Sequence, residues 1–549
     1  MRAVIWLTAT LLLAAGCSKG GRACGDHCGC FSIEDCPADN ICFLGTCQSP
    51  GYNISTVYID LLPASASGLP AQPDAANPRQ LSTGLNFDIG LRRACGLTGH
   101  VQAASGGEMS GLLVAQAHGA NTADSIGLPS TMAPHQAVVD AGMGFSLQVV
   151  PGSYDLTFQP PKGSTALPPF PLAMRAISDD RTFDVVYPDT SLVSMRGVVA
   201  GRSDAVSPIT GALISATGLT EEGSRLASTT GTTNDAGEYT VVLPPGARTV
   251  NLTLRQGSAT SGNPLVPTIT FNGLTPQGSP LSLGTQTLEI PMETVQVTAQ
   301  ITTGNGSGAS DVAVLYDGTV GEGDTQGTFH VAGSTDPNGQ FTTTLVPGTY
   351  TVTLVPGAGQ SAASMASSLC VLPQDRVSPA CTLSVTNHGT LAFSLPAQVT
   401  IMGQVTSHDG QTVANARVAY TARANSPTQR VFATTSDPQG RYTVQVDPAS
   451  SSDGLEYDVS VEPEPSSGLP RYRSLFRVGT ADATHDIQLW APSFVYGHVL
   501  DPSGEPVPDV TIALYSVELG SAKTPLLVGL GQSTTGGEFV IPLPTATAP

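Results

Sequence analysis

One short run recurs along the chain and constrains its fold more than any other feature. It reads Asp235-Ala236-Gly237-Glu238-Tyr239-Thr240-Val241 in one place and Asp336-Pro337-Asn338-Gly339-Gln340-Phe341 in the next. Asp437-Pro438-Gln439-Gly440-Arg441-Tyr442-Thr443-Val444 is a third copy. Looser copies stand at Asp140-Ala141-Gly142-Met143-Gly144-Phe145 and Gly536-Gly537-Glu538-Phe539. An Asp that bonds nearby backbone opens a turn, and a Gly takes the positive φ that the turn needs. The strand that follows puts an aromatic and aliphatics on one face. Several copies then reverse through Pro-Gly into a second strand, as at Pro151-Gly152-Ser153-Tyr154 and Pro347-Gly348-Thr349-Tyr350. Each copy is a hairpin that must bury one face. A chain of such copies is a row of β domains.

A second shared piece precedes each hairpin. Gly403-Gln404-Val405 is followed by Asp409-Gly410-Gln411-Thr412-Val413 and Ala416-Arg417-Val418. Gly497-His498-Val499 is followed by Asp501-Pro502-Ser503-Gly504-Glu505-Pro506-Val507. Gly99-His100-Val101 and Gly197-Val198-Val199 begin two more copies, whereas the third carries Ala299-Gln300-Ile301 instead. Closing strands end most copies: Phe183-Asp184-Val185, Leu288-Glu289-Ile290, Leu391-Ala392-Phe393 and Asp486-Ile487-Gln488-Leu489. In combination these pieces resemble the carboxypeptidase regulatory-like domain, a transthyretin-like β-sandwich.

The resemblance implies an all-β chain of tandem seven-stranded transthyretin-like sandwiches at 97–191, 192–292, 293–396, 397–491 and, incomplete, 492–549. Linkers this short predict a semi-rigid rod. With sandwiches the size of ordinary domains, it would reach on the order of 150 Å. The phase of the repeat is unusual. The fifth copy stops at Phe539-Val540-Ile541-Pro542-Leu543-Pro544, before its last strands. The partial repeat at 51–96 holds the missing pieces: Val57-Tyr58-Ile59-Asp60-Leu61 matches Tyr154-Asp155-Leu156-Thr157-Phe158, and Phe87-Asp88-Ile89 matches Phe183-Asp184-Val185. Either the two fragments are degenerate halves, or the front strands complete the last sandwich, in cis or in trans.

The N-terminus carries an address. Arg2 precedes an apolar stretch too short to span a bilayer as a helix. It runs into Leu13-Ala14-Ala15-Gly16-Cys17, which resembles the lipobox of bacterial lipoproteins. The resemblance implies removal of residues 1–16 as a signal peptide and lipidation of Cys17, an anchor stable in a membrane. Ser18, rather than Asp, after that Cys implies outer-membrane sorting, on the periplasmic or surface-exposed face.

Residues 17–50 form a cysteine-rich head with Cys24, Cys28, Cys30, Cys36, Cys42 and Cys47. In an exported chain these are disulfide candidates. Their spacing from Cys30 onward is similar to the short cysteine-rich repeat at the start of Dickkopf proteins. Zinc on His27, Cys24 and Cys28 is the alternative, but the paired Cys-x2-Cys of a structural zinc site is missing. Cys370 and Cys381 are close enough to staple one loop. Cys95 is then left over: a buried thiol, a partner for a head cysteine or an intermolecular link, with the buried thiol preferred.

Function is less legible. Charged residues are 12% of the chain, against roughly 25% in an average protein. The net charge of -20 argues against a nucleic-acid partner. No His-x-x-x-His, Gly-x-Ser-x-Gly or phosphate cradle is present. The histidines read as surface or strand-edge residues, and no cofactor, metal or catalytic residue is expected. Tyr and Phe fall mainly in strand alternation and read as core. A non-catalytic, lipid-anchored surface protein follows, its repeats acting as spacer, adhesion or protein-interaction modules. Glycan binding, or service as an accessory subunit of an exported enzyme or transporter, is the alternative.

Overall fold

The computed structural model describes residues 41–43, 46–48, 56–74, 77, 79–81, 86–117, 135–161, 167–172, 175–202, 206–221, 225–257, 265–278, 281–288, 294–320, 327–357, 360–372, 381–386, 389–423, 428–449, 454–517 and 525–544. The described chain is strands and turns, with helix limited to three-residue 3-10 turns. The signal segment, Cys17, Ser18 and Cys24 to Cys36 lie outside the described residues. Cys42 and Cys47 are backbone partners in the hairpin of Ile41–Phe43 and Thr46–Gln48.

The fourth sandwich shows the plan most plainly. One sheet orders the strands Arg441–Val446, Val399–Thr406 and the closing pieces Ala483–Thr484 and Ile487–Gln488, which run parallel to their neighbour. The other orders Val431–Thr435, Arg417–Ala422, Leu455–Glu462 and Tyr472–Val478. Alternate residues of each strand face a shared core that includes Ile401, Val405, Val418, Tyr420, Tyr457 and Val459. The same layout is built around separate cores in the first, second and third sandwiches.

The turn chemistry that defines the repeat is present in atomic detail. Asp437 Oδ1 accepts the backbone N–H of Gln439 and Arg441, and Asp336 Oδ1 accepts those of Asn338 and Gln340. Gly440 has φ +74°, and a Cβ there would stand 2.5 Å from Val405 O. In the second copy the turn opens on Asn234, one residue ahead of Asp235: Asn234 Oδ1 takes the N–H groups of Ala236 and Glu238.

The fifth sandwich is made from both ends of the chain. Residues 492–544 supply its first four strands, Pro492–Leu500, Thr511–Val517, Pro525–Gln532 and Glu538–Pro544. Thr56–Leu62 then pairs antiparallel with Thr511–Val517, with Ile59 opposite Leu514 and Leu61 opposite Ile512. Ile89–Gly90 pairs parallel with Pro492–Leu500 as the closing strand. Val57, Ile59, Leu61 and Ile89 join Val495, Val499, Ile512, Leu514 and Ile541 in one core. Of the two readings of the fragments, the cis completion is the one found.

This pairing changes the description of the row. Residues 92–94 alone separate the closing sandwich from the first strand of the first sandwich, Cys95–Gly99. Each sandwich therefore has a neighbour along the chain on both sides, and the row closes on itself. Junctions carry specific contacts. The Arg92 guanidinium donates to Pro73 O of the closing sandwich and to Pro151 O of the first. The Thr328 N–H of the third donates to Thr268 O of the second at 2.9 Å. The buried Asp447 carboxylate of the fourth accepts from Ser364 of the third and from Arg430.

The Gly-x-Val glycines have a common cause. In the first, fourth and fifth sandwiches the closing strand breaks, and a carbonyl stands where a Cβ would be. The distances are 2.0 Å for Gly99 to Phe183 O, 1.9 Å for Gly403 to His485 O and 1.9 Å for Gly497 to Phe87 O. In the third sandwich Gly389–Ser394 pairs in unbroken register with Val295–Thr302, so no carbonyl intrudes. Ala299 fits there, fully buried.

Candidate functional site

The strand after each Gly-x-Val start sets which residues face outward. With Gly497 facing the core, Phe494, Tyr496 and His498 face solvent. Phe494 is 41% exposed and Tyr496 46%. Among the described residues they are the exposed aromatic side chains. Their cross-strand partners extend the patch: Tyr496 lies opposite Val540, which is 62% exposed, and Phe494 lies opposite Pro542.

The other sandwiches carry different chemistry at the same register. In place of Tyr496 opposite Val540 they have Thr98 opposite Ser146, Arg196 opposite Thr240, Thr298 opposite Thr342 and Met402 opposite Thr443. In place of Phe494 opposite Pro542 they have Gly96 with Gln148, Ser194 with Val242, Gln296 with Thr344 and Thr400 with Gln445. An aromatic and aliphatic stripe on an outward sheet face is thus a property of the closing sandwich. Its rim is acidic: Glu538 lies opposite His498, and the His498 ring meets Asp88 Oδ1 at 3.1 Å.

The expectation that Tyr and Phe are core residues fails at these two positions. Tyr316, Tyr350, Tyr420, Tyr457 and Phe158 are core. Phe494 and Tyr496 have the opposite parity to Gly497. Counting parity from that glycine would have placed them outside.

The histidines also divide. His100 and His330 lie at the surface beside Glu108 and Asp317. His485 departs from the surface expectation. It is 8% exposed, stacks on Phe476 at 4.0 Å, and its Nδ1 lies 2.8 Å from Tyr420 Oη. Burial pulls its pKa down to about 4, with Asp486 opposing. His27, His118 and His388 lie outside the described residues. Among the described residues no three His, Cys, Asp or Glu side chains are grouped to hold a metal ion. Cys370 and Cys381 are bridged. Cys95 is a buried free thiol, and burial with Asp180 nearby pushes its pKa up.

No family model matches the chain, and no curated protein matches it. Solved structures do. A streptococcal ancillary pilin aligns at 11% identity over 54% of this chain and 99% of its own, with a TM-score of 0.22. The TIE protein of Bacillus anthracis aligns at 12% identity over 69% of each chain, with a TM-score of 0.15. GBS52, a minor pilin of Streptococcus agalactiae, aligns at 13% identity over 36% of this chain and 94% of its own, with a TM-score of 0.20. Scores of this size do not define a shared fold.

Proposed function

We propose that the chain is a non-catalytic, lipid-anchored surface protein in which a closed row of sandwiches presents the aromatic face of the closing one to a partner. The observation that carries this reading is the contrast at one register position, Tyr496 and Val540 against Thr, Ser, Arg and Met elsewhere. Exposed aromatics grouped on one face are what a protein interface uses as anchors. The acidic rim at Glu538 and Asp88, on a chain of net charge -20, selects the partner. It is a protein surface with an apolar centre and Lys or Arg around it. Cys17 supplies the anchor, and the outer membrane the location.

Two experiments test the two halves. Palmitate labelling of cells should mark the wild-type chain and not Cys17→Ser; equal labelling defeats the anchor. Cross-linking on whole cells should recover one stoichiometric protein, reduced at least tenfold by Phe494→Ser with Tyr496→Ser. Recovery unchanged by that double variant defeats the face. An accessory role beside an exported enzyme or transporter would identify the recovered protein. Capture of a glycan in its place would favour the carbohydrate reading.

A further inference from the structure

The fourth sandwich carries charge on a sheet face where its siblings carry little. In the sheet of Val431–Thr435, Arg417–Ala422, Leu455–Glu462 and Tyr472–Val478, residues Val418, Tyr420, Tyr457 and Val459 fill the core. Strand alternation then turns Arg417, Glu456, Asp458 and Glu462 outward, beside Arg473 and Arg477 of the neighbouring strand. Arg417 lies opposite Glu462. At that register the other sandwiches have Leu112 with Gln159, Leu213 with Arg255, Ala313 with Val355 and Thr511 with Leu62. Arg473 stands where they have Pro171, Thr270, Ala366 and Pro73. Arg423 and Arg473 pair with Asp458, Arg477 with Glu456, and Arg417 and Arg471 with Glu462. Arginines outnumber carboxylates in this cluster, so the face is positive on a chain of net charge -20.

Much of the face is open. Arg471 and Arg473 border the seam with Leu527 and Val528 of the fifth sandwich. Arg417 and Arg423 are 51% and 44% exposed. One row across the sheet reads Val431, Thr421, Asp458 and Leu475, and Val431 is 56% exposed. Arg423 and Arg477 stand on one side of that row, and Arg417 and Arg473 on the other. Apolar side chains with arginines around them are what the aromatic face of the closing sandwich calls for. Phe494 and Tyr496 have Glu538 and Asp88 at their rim. A guanidinium pairs with carboxylates and stacks on aromatic rings. The chain already sets Arg79 over Phe87, Arg175 over Phe183 and Arg430 over Phe432.

We propose that the partner of the aromatic face is a second copy of this chain, docked through the arginine-rimmed face of its fourth sandwich. Such docking rests on the reading of the aromatic face as an interface, and adds its occupant. The two surfaces differ, so the contact runs head to tail and gathers copies into chains or rings.

The test uses the full chain carrying Cys17→Ser, so that no lipid there gathers copies. Sedimentation with both faces intact should show a mass that rises with concentration beyond the dimer. Phe494→Ser with Tyr496→Ser removes one surface, and Arg423→Ser with Arg477→Ser weakens the other. Each double variant alone should associate at least tenfold more weakly, with its circular dichroism spectrum unchanged. Mixed, the two should form one-to-one dimers, because each keeps the surface that the other has lost. The docking is overturned if the chain with both faces intact stays monomeric up to millimolar concentration. It is equally overturned if the arginine variant associates as the intact chain does, or if the mixture forms no dimer. An intact chain that stays monomeric, while whole-cell cross-linking still recovers a different protein through Phe494 and Tyr496, overturns the docking alone and leaves the aromatic face an interface.

Discussion

The backbone N–H of His498 donates to Asp88 Oδ1 at 3.1 Å across 410 residues of chain. The same bond joins His100 to Asp184 and Gln404 to Asp486, where the separations are 84 and 82 residues. One local bond therefore serves every such sandwich, and in the fifth it links the two ends of the fold. Closure replaces two frayed half-domains with a single core. It also leaves no sandwich at the end of the row, where edge strands are most exposed to wrong pairing.

Replacing Gly497 with Ala should disturb that closure. A Cβ would stand 1.9 Å from Phe87 O, a backbone atom of the closing strand. The strain should cost about 1–3 kcal/mol. Hydrogen exchange of residues 86–91 should rise, while that of the third sandwich stays as it was. The matching change in the third sandwich already exists as Ala299, so the position tolerates Ala only where the closing strand runs unbroken.

The fourth sandwich should lose stability in mild acid through His485. Its pKa falls from 6.5 to about 4 on folding, because burial disfavours the charged ring. Between these values the unfolded chain takes up a proton that the folded chain does not. The contribution is whole above about pH 6.5, declines as the pH drops, and is flat below about pH 4. Over that window it amounts to about 3 kcal/mol. Urea midpoints against pH should show this slope in the wild type and a shallower one in His485→Gln.

The junction of the third and fourth sandwiches rests on a buried ion pair. Arg430 Nη1 lies 2.9 Å from Asp447 Oδ1, and Asp447 is 2% exposed. Ser364 of the third sandwich donates to the same carboxylate. Arg430→Ala would leave the carboxylate buried and uncompensated, at a cost of about 3–5 kcal/mol. Thermal unfolding should begin earlier, with protease cutting first near residues 395–398. Removing both charges, with Asp447→Asn added, should recover part of the loss.

The repeat was legible because its turns depend on local chemistry. Asp437, Gly440 and Tyr442 each have a role that spacing reveals. The two half-modules were legible as matching fragments, since Ile59 and Leu156 sit in the same alternation. That they meet in one sandwich depends on pairing across nearly the whole chain, which periodicity does not report. The outward position of Tyr496 follows from the parity of Gly497, a signal present in the sequence. The junction pair of Arg430 and Asp447 had no such signal, because neither residue lies in a recurring motif. The unpartnered hydroxyl of Tyr239 emerges only by comparison with Tyr442, whose acceptor is the His485 carbonyl at the break in the closing strand.

Closure within one chain is tested most directly by a disulfide between Leu62→Cys and Thr511→Cys. These positions are partners across the closing sheet, and Leu62 is 57% exposed. Directly paired strand residues fall within disulfide reach. Oxidation of the dilute double variant, followed by peptide mapping of the monomer, should find 62 linked to 511 in most chains. A link confined to disulfide-bonded dimers, or no link while Cys370 and Cys381 remain bridged, would contradict the closed row.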